Sequence, residues 1–189
     1  RLGGHVIGFA ESTFSSVAKG ETLVDTVRVV ENYADIIVLR HPLEGSAKIA
    51  AANSRVPVIN AGSGALSHPT QALLDLYTIR RERGHIDGLR IAMVGDLKYG
   101  RAVHSLAYGL GMYRVKLCFV SPKVLRMREE VLNDMAGRGV RVEEYENVES
   151  IISSADVIYA TRIQKERFPD PLEYEKVKGS YTITPQLLK

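Results

Sequence analysis

Short apolar runs alternate with stretches of helical periodicity along most of this chain. Val6–Phe9 reads as a strand. Thr22–Tyr33 reads as a helix with Leu23, Val27 and Val30 on one face. Asp35–Leu39 reads as a strand, Ala47–Asn53 as a short helix, and Val56–Asn60 as a strand with Pro57 near its start. Pro69–Arg83 carries proline at the favoured first helical position and spaces Leu73, Leu74, Tyr77 and Ile79 as a helix does. Gly84–Gly88 interrupts the pattern, which then resumes. Strands are predicted at Ile91–Gly95, Val115–Val120, Val140–Glu143 and Asp156–Ala160. Helices are predicted between them at Val103–Leu110, Val124–Ala136 and Val148–Ser153.

Strands separated by helices argue for parallel sheets. The break at Gly84–Gly88 reads as a hinge, so the expected fold is α/β, with two doubly wound parallel-sheet domains over residues 1–84 and 85–189. The first is short of strands, and Arg1-Leu2-Gly3-Gly4-His5 resembles neither a signal peptide nor an initiation site, so we expect sequence to precede it.

At 189 residues, 45% hydrophobic and 25% charged, the composition is that of an ordinary globular protein. A net charge of +3 with scattered Lys and Arg offers no basic stripe, which argues against nucleic acid. No apolar run approaches the ~20 residues a bilayer needs. The single cysteine, Cys118, lies in the apolar run Leu117–Val120; it reads as a core residue and fits a reducing cytoplasm.

The chemistry gathers at strand ends and helix starts, where open α/β sheets bind ligands. Gly95-Asp96-Leu97-Lys98-Tyr99-Gly100-Arg101 lies between a strand and a helix but lacks the dinucleotide fingerprint G-x-G-x-x-G. It carries Lys98 and Arg101 instead, and Arg101 can grip a carboxylate with two parallel hydrogen bonds. Arg40 follows a predicted strand, a place that suits either an anion site or a surface ion pair. His68 precedes the first turn of a helix, whose free N–H groups favour a neutral imidazole able to donate to a carbonyl. Gln71, three residues on, offers a donor and an acceptor. A capping histidine and a solvated glutamine would look the same at this level. Arg162 and Gln164 alternate after a strand and share one face if extended, with Glu166 beside them. Lys19 sits in the small polar stretch Ser15–Thr22 ahead of a helix. There is no nucleophile–base pair, and the five histidines are not at metal-ligand spacing. Converging cations and amides suit anion binding and carbonyl polarisation, hence group transfer without a covalent intermediate.

Val17-Ala18-Lys19-Gly20-Glu21-Thr22-Leu23, Leu39-Arg40-His41-Pro42, Asn60-Ala61-Gly62, His68-Pro69-Thr70-Gln71, the Gly95–Arg101 loop and Thr161-Arg162-Ile163-Gln164-Lys165-Glu166-Arg167 follow one another in this order. On these motifs the chain resembles the catalytic chain of the aspartate carbamoyltransferases over essentially its whole length. The resemblance implies transfer of the carbamoyl group from carbamoyl phosphate to the α-amino group of L-aspartate, a step of pyrimidine biosynthesis. It implies no cofactor and no metal. Arg40 and His68 would contact the carbamoyl carbonyl, with Arg40 also touching phosphate, and Gln71 would accept from the carbamoyl NH₂. Arg101, Arg162 and Gln164 would hold the aspartate carboxylates. Lys19 and Ser16 would reach a neighbouring subunit's active site, which implies a cytoplasmic homotrimer with shared sites. A regulatory chain or fused pyrimidine enzymes are compatible partners.

The sequence departs from the family at several points. The S-T-R-T-R phosphate segment would precede Arg1, and the H-P-L-P-R loop would follow Lys189. Ser63 stands where the family usually has Asp, and Ala102 where it usually has Thr. These departures keep a non-catalytic carbamoyltransferase-like domain in view. An ornithine carbamoyltransferase is the other alternative, opposed by the carboxylate-clamping Arg162–Gln164 pair.

Overall fold

The computed structural model describes residues 3–9, 20–64, 67–163, 165, 168 and 170–187. The chain divides into two compact units, residues 1–64 and 65–189.

The first unit is built on a parallel pair, β1 (Ile37–His41) and β2 (Val58–Ser63). Helices α1 (Leu23–Val30) and α2 (Ser46–Asn53) supply Val27 and Ala50 to a small core with Ile37. Thr22 starts α1, its hydroxyl accepting from the Asp25 amide at 3.2 Å, so one free donor of the first turn is satisfied. Val6–Phe9 does not form the expected strand: it pairs with nothing among the described residues, and Val6 is 94% exposed. An apolar run becomes a strand only when a neighbouring edge takes its backbone hydrogen bonds.

The second unit begins with α3 (Pro69–Arg83), whose ends match the sequence reading. It then winds a four-stranded parallel sheet in the order β5-β4-β3-β6. The strands are β3 (Arg90–Val94), β4 (Lys116–Val120), β5 (Arg141–Tyr145) and β6 (Val157–Ala160), with α4 (Arg101–Leu110) between β3 and β4 and α5 (Glu129–Gly137) between β4 and β5. Alternation along β3 decides what faces what. Ile91 and Met93 pack with Ile79 of α3, Leu106 and Leu110 of α4, and Met135 of α5. Ala92 and Val94 point the other way, onto Val148 and Ile151, with Cys118 buried beside them as expected. Burial on both faces explains why β3 and β4 read as unbroken apolar runs.

Three details differ from the periodicity. The run Val124–Ala136 is not one helix: a 3₁₀ turn at Lys123–Leu125 is followed by Arg126 at ψ 154°, and α5 starts only at Glu129. The break sinks Leu125 and Met127 into the sheet's cover, which a straight helix from Val124 would not do for both. Val148–Ser153 is likewise a pair of 3₁₀ turns. On α3, Leu73, Leu74 and Tyr77 stay exposed while Ala72 and Ile79 are buried. A further helix, α6 (Pro171–Val177), starts at Asp170, whose carboxylate accepts from the Leu172 amide at 2.8 Å.

In the middle of β5, Glu143 gathers three partners. Lys116 Nζ lies 2.7 Å from one carboxylate oxygen, while Arg90 Nη2 at 3.1 Å and the Tyr145 hydroxyl at 2.6 Å donate to the other. The Lys116 bond first, then the Tyr145 bond, hold the Glu143 carboxyl at about 2, below its usual 4.5. A depressed folded pKa gives stability that is present above the unfolded value and lost as pH falls through the folded one. We therefore expect Glu143→Gln to flatten the fall in urea midpoint between pH 5 and pH 2.5; parallel curves for the two proteins would contradict this role. Gly95, just past β3, has φ +119°, and a Cβ there would run into the Thr161 carbonyl oxygen beside β6. Gly95→Ala should cost about 2–4 kcal/mol through backbone strain and the forced parting of β3 and β6; a loss below about 1 kcal/mol in denaturant titration would contradict it.

Candidate active site

The strand order places a topological switch at β3. The chain leaves β3 through α4 toward β4 on one side, while β6 lies on the other. Ligands of open α/β sheets bind in the crevice outside the carboxyl ends at such a point. Here those ends carry the Gly95–Arg101 loop and Thr161-Arg162.

The loop is fixed from within. Asp96 is fully buried, and its Oδ1 accepts from the Tyr99 amide at 2.8 Å, which folds the loop back on itself. Leu97 is also fully buried, and its amide donates to the Leu125 carbonyl at 3.2 Å. Its carbonyl lies 2.7 Å from Nε2 of buried His104 on α4. A carbonyl can only accept, so that nitrogen carries the hydrogen. Arg128 Nε donates to the Lys98 carbonyl at 2.8 Å. Gly100 caps α4 where a Cβ would sit 2.5 Å from the Asp96 carbonyl oxygen. Arg101 thus becomes the first residue of α4, half-buried, at the helix end that favours anions. Lys98 is exposed, with its Nζ 5.1 Å from the Tyr99 ring centroid. Across the switch, the Thr161 amide donates to the Val94 carbonyl at 2.8 Å, and exposed Arg162 follows it. Arg101 and Arg162 thus follow neighbouring strands, β3 and β6.

The start of α3 is tied to α4. The His68 amide donates to Ser105 Oγ at 2.9 Å, and Leu76 lies against Gly109, where a Cβ would come within 2.9 Å of its methyl carbon. His68 caps α3 without a side-chain capping bond, and its Nδ1 lies 3.3 Å from Thr70 Oγ1. With Thr70 Oγ1 as the donor, Nδ1 accepts and Nε2 carries a hydrogen that a carbonyl oxygen can accept. Gln71 is half-buried and donates to Asp75 Oδ1 at 2.9 Å. The two functions that the sequence assigns to α3 and to the glycine loop therefore share one scaffold, through Ser105.

Arg40 belongs to the first unit and is exposed on β1. The pairing register shifts between Leu39 and His41, so Arg40 occupies the irregularity. Such bulges re-aim a side chain at a strand end. Nearby, Ser63 is 2% exposed and takes the role of a cap: its Oγ accepts from the Ala47 amide and from Ser46 Oγ, both at 3.3 Å. Helix α2 needs it, because Gly45 at its own start has no side chain to offer. Ala102 is half-buried on α4. Ser16, Lys19 and Gln164 lie outside the described residues. Among the described residues no group of three His, Cys, Asp or Glu could hold a metal ion, and no helix is long and apolar enough to cross a membrane.

Residue pattern alone did not single out Ser105, His104 or Asp75. Ser105 and His104 act through contacts made only when helices pack or a loop closes; Asp75 acts within α3, at an i, i+4 spacing from Gln71 that the sequence carries.

Two family models match in succession: the carbamoyl-phosphate-binding domain of aspartate/ornithine carbamoyltransferase over residues 1–81, and the aspartate/ornithine-binding domain over residues 87–189. The aspartate carbamoyltransferase catalytic subunit of Methanocaldococcus jannaschii is 59% identical over 97% of this chain and 60% of its own length. That of Thermococcus gammatolerans is 57% identical over 100% and 61%. The chain thus spans about 60% of the length of these curated relatives. The crystal structure of the M. jannaschii catalytic subunit superposes with a TM-score of 0.88 at 57% identity, covering 100% of this chain and 62% of that one. Aspartate transcarbamoylase from Trypanosoma cruzi, in complex with N-(phosphonacetyl)-L-aspartic acid, also gives 0.88 at 40% identity, over 99% and 60%. The chain belongs to the aspartate/ornithine carbamoyltransferase family.

Proposed function

We propose that the protein transfers the carbamoyl group of carbamoyl phosphate to L-aspartate, giving N-carbamoyl-L-aspartate and phosphate in pyrimidine biosynthesis. The observation that carries this reading is the identity of 59% and 57%, over nearly the whole chain, with proteins named as aspartate carbamoyltransferase catalytic subunits. The placement of Arg101 and Arg162 after the neighbouring strands β3 and β6 supports it, since a dicarboxylate is an acceptor that two guanidinium groups can hold. Relatives crystallised with carbamoyl phosphate, with aspartate and phosphate, and with a phosphonate analogue of the joined substrates point the same way.

In this reading residues 1–84 serve carbamoyl phosphate and residues 85–189 serve aspartate. The amine attacks the carbamoyl carbon, and charge builds on the carbonyl oxygen. Arg40 and His68 stabilise that oxygen, Arg40 also contacting phosphate; losing one such fixed donor typically costs roughly 10²–10³-fold in rate. Gln71 accepts from the carbamoyl NH₂. Arg101, Arg162 and Gln164 orient aspartate through its carboxylates, so that much of the acceleration comes from holding two anions in line. The departing phosphate takes the amine proton, so the chain supplies no separate base. Ser16 and Lys19 serve the site of a neighbouring subunit in a cytoplasmic homotrimer. The relatives' names as catalytic subunits support a regulatory chain as a further partner.

In the full-length protein, Arg101→Ala should raise KM for aspartate roughly 10–100-fold, the loss of charge-assisted hydrogen bonds, and leave KM for carbamoyl phosphate within twofold. Steady-state kinetics with each substrate varied checks this; equal losses for both would contradict the division of roles.

A further inference from the structure

We propose that Asp75 is a positioning residue that fixes which end of the Gln71 amide faces the ligand, and so makes the site select a carbamoyl over an acetyl group; this rests on the carbamoyl-transfer reading above. A glutamine amide has two ends of nearly equal shape and opposite hydrogen-bonding sense. A free one samples both. A carboxylate only accepts, so the atom 2.9 Å from Asp75 Oδ1 is the Gln71 NH₂ group. Turning the amide over would set its carbonyl oxygen against a carboxylate oxygen. The carbonyl oxygen is therefore the end left for a ligand, and it makes no hydrogen bond among the described residues.

An i, i+4 pair on a helix is often only a solvated surface contact. This one differs, because Asp75 is half-buried and one of its carboxylate oxygens is out of solvent. Its other oxygen, Oδ2, is fully buried and has no hydrogen-bond partner among the described residues. Half-buried Tyr159 of β6 lies close enough for the Asp75 charge to act on it. Burial, then that charge, then hydrogen bonding toward the Asp75 carboxylate push the Tyr159 phenol above its usual range. An apolar side chain at position 75 would fill this place without the desolvation cost. What the carboxylate adds, besides its contact with Tyr159, is a fixed acceptor for Gln71. The ligand chemistry follows: a group that donates N–H toward Gln71 is accepted, and the same group with methyl in place of NH₂ leaves the Gln71 oxygen unpaired.

The test uses two stable phosphonates on the full-length protein by calorimetry: phosphonoacetamide, which carries the NH₂, and phosphonoacetone, which carries methyl instead. The unaltered protein should prefer phosphonoacetamide by about tenfold or more, the value of a hydrogen bond whose loss leaves an acceptor unpaired beneath the bound ligand. Asp75→Leu should bring that preference below threefold while phosphonoacetone binding stays within twofold. Gln71→Glu should also abolish the preference, because two carboxylates then face each other. Adding Asp75→Asn to Gln71→Glu should restore at least tenfold of it. The introduced asparagine then donates its NH₂ to the introduced glutamate, whose second oxygen is left to accept from the ligand. A preference kept in Asp75→Leu, or a double variant no better than Gln71→Glu, overturns the proposal. If Asp75→Leu does not fold, the comparison of Gln71→Glu with the double variant decides. Failure of the unaltered protein to bind either phosphonate overturns the carbamoyl reading itself, and the proposal with it.

Discussion

The close approach of two backbones at the ends of β3 and β6 is the constraint on which the second unit depends. Gly95 is in the left-handed region, and no Cβ fits between it and the Thr161 carbonyl. The Thr161 amide reaches back to Val94, while the Gly95 amide donates to the Val120 carbonyl at 3.0 Å on the other side. One short segment thus ties β3 to both neighbours just where the chain turns into the loop. Anything bulkier would part the strands and carry Arg162 away from the loop that holds Arg101. A glycine required by packing is in this sense a requirement on the site.

The same economy runs through the polar groups around it. Loop residues 96–98 are held by Asp96 from within, by His104 from α4 and by Arg128 at the start of α5, each satisfying a backbone group that the tight turn strands. Ser105, one residue from His104 on the same helix, holds the start of α3. Helix α4 is therefore the common support for His68, Gln71 and Arg101. Rigid placement of this kind is what a reaction run by fixed donors, with no covalent intermediate, requires.

Much of this could be read in the sequence, for physical reasons that differ by element. Strands β3 and β4 are buried on both faces, so their apolar runs stand out without ambiguity. Helix α3 is bounded by Pro69 and by Gly84 at φ +79°, residues that admit few alternatives at those positions. The misses have equally definite causes. Val6–Phe9 has the composition of a strand, but strand formation is a property of a pair of edges. The run Val124–Ala136 has helical spacing, yet the burial of both Leu125 and Met127 is met only by a break at Arg126. The site motifs named Arg40, His68, Gln71, Arg101 and Arg162 by residue type and place. They could not reveal the register shift that carries Arg40, the Ser105 link between two helices, or the service of Ser63 as a cap for α2, because each is a contact across elements.

The central claim is that the acceptor held by Arg101 and Arg162 is a dicarboxylate. The most direct measurement is formation of a ureido product from carbamoyl phosphate by the full-length protein, with L-aspartate and L-ornithine as parallel acceptors. The account predicts product with aspartate and none with ornithine, whose cationic side chain would meet two guanidinium groups. Product with ornithine, or none with either acceptor from a folded protein, would contradict it.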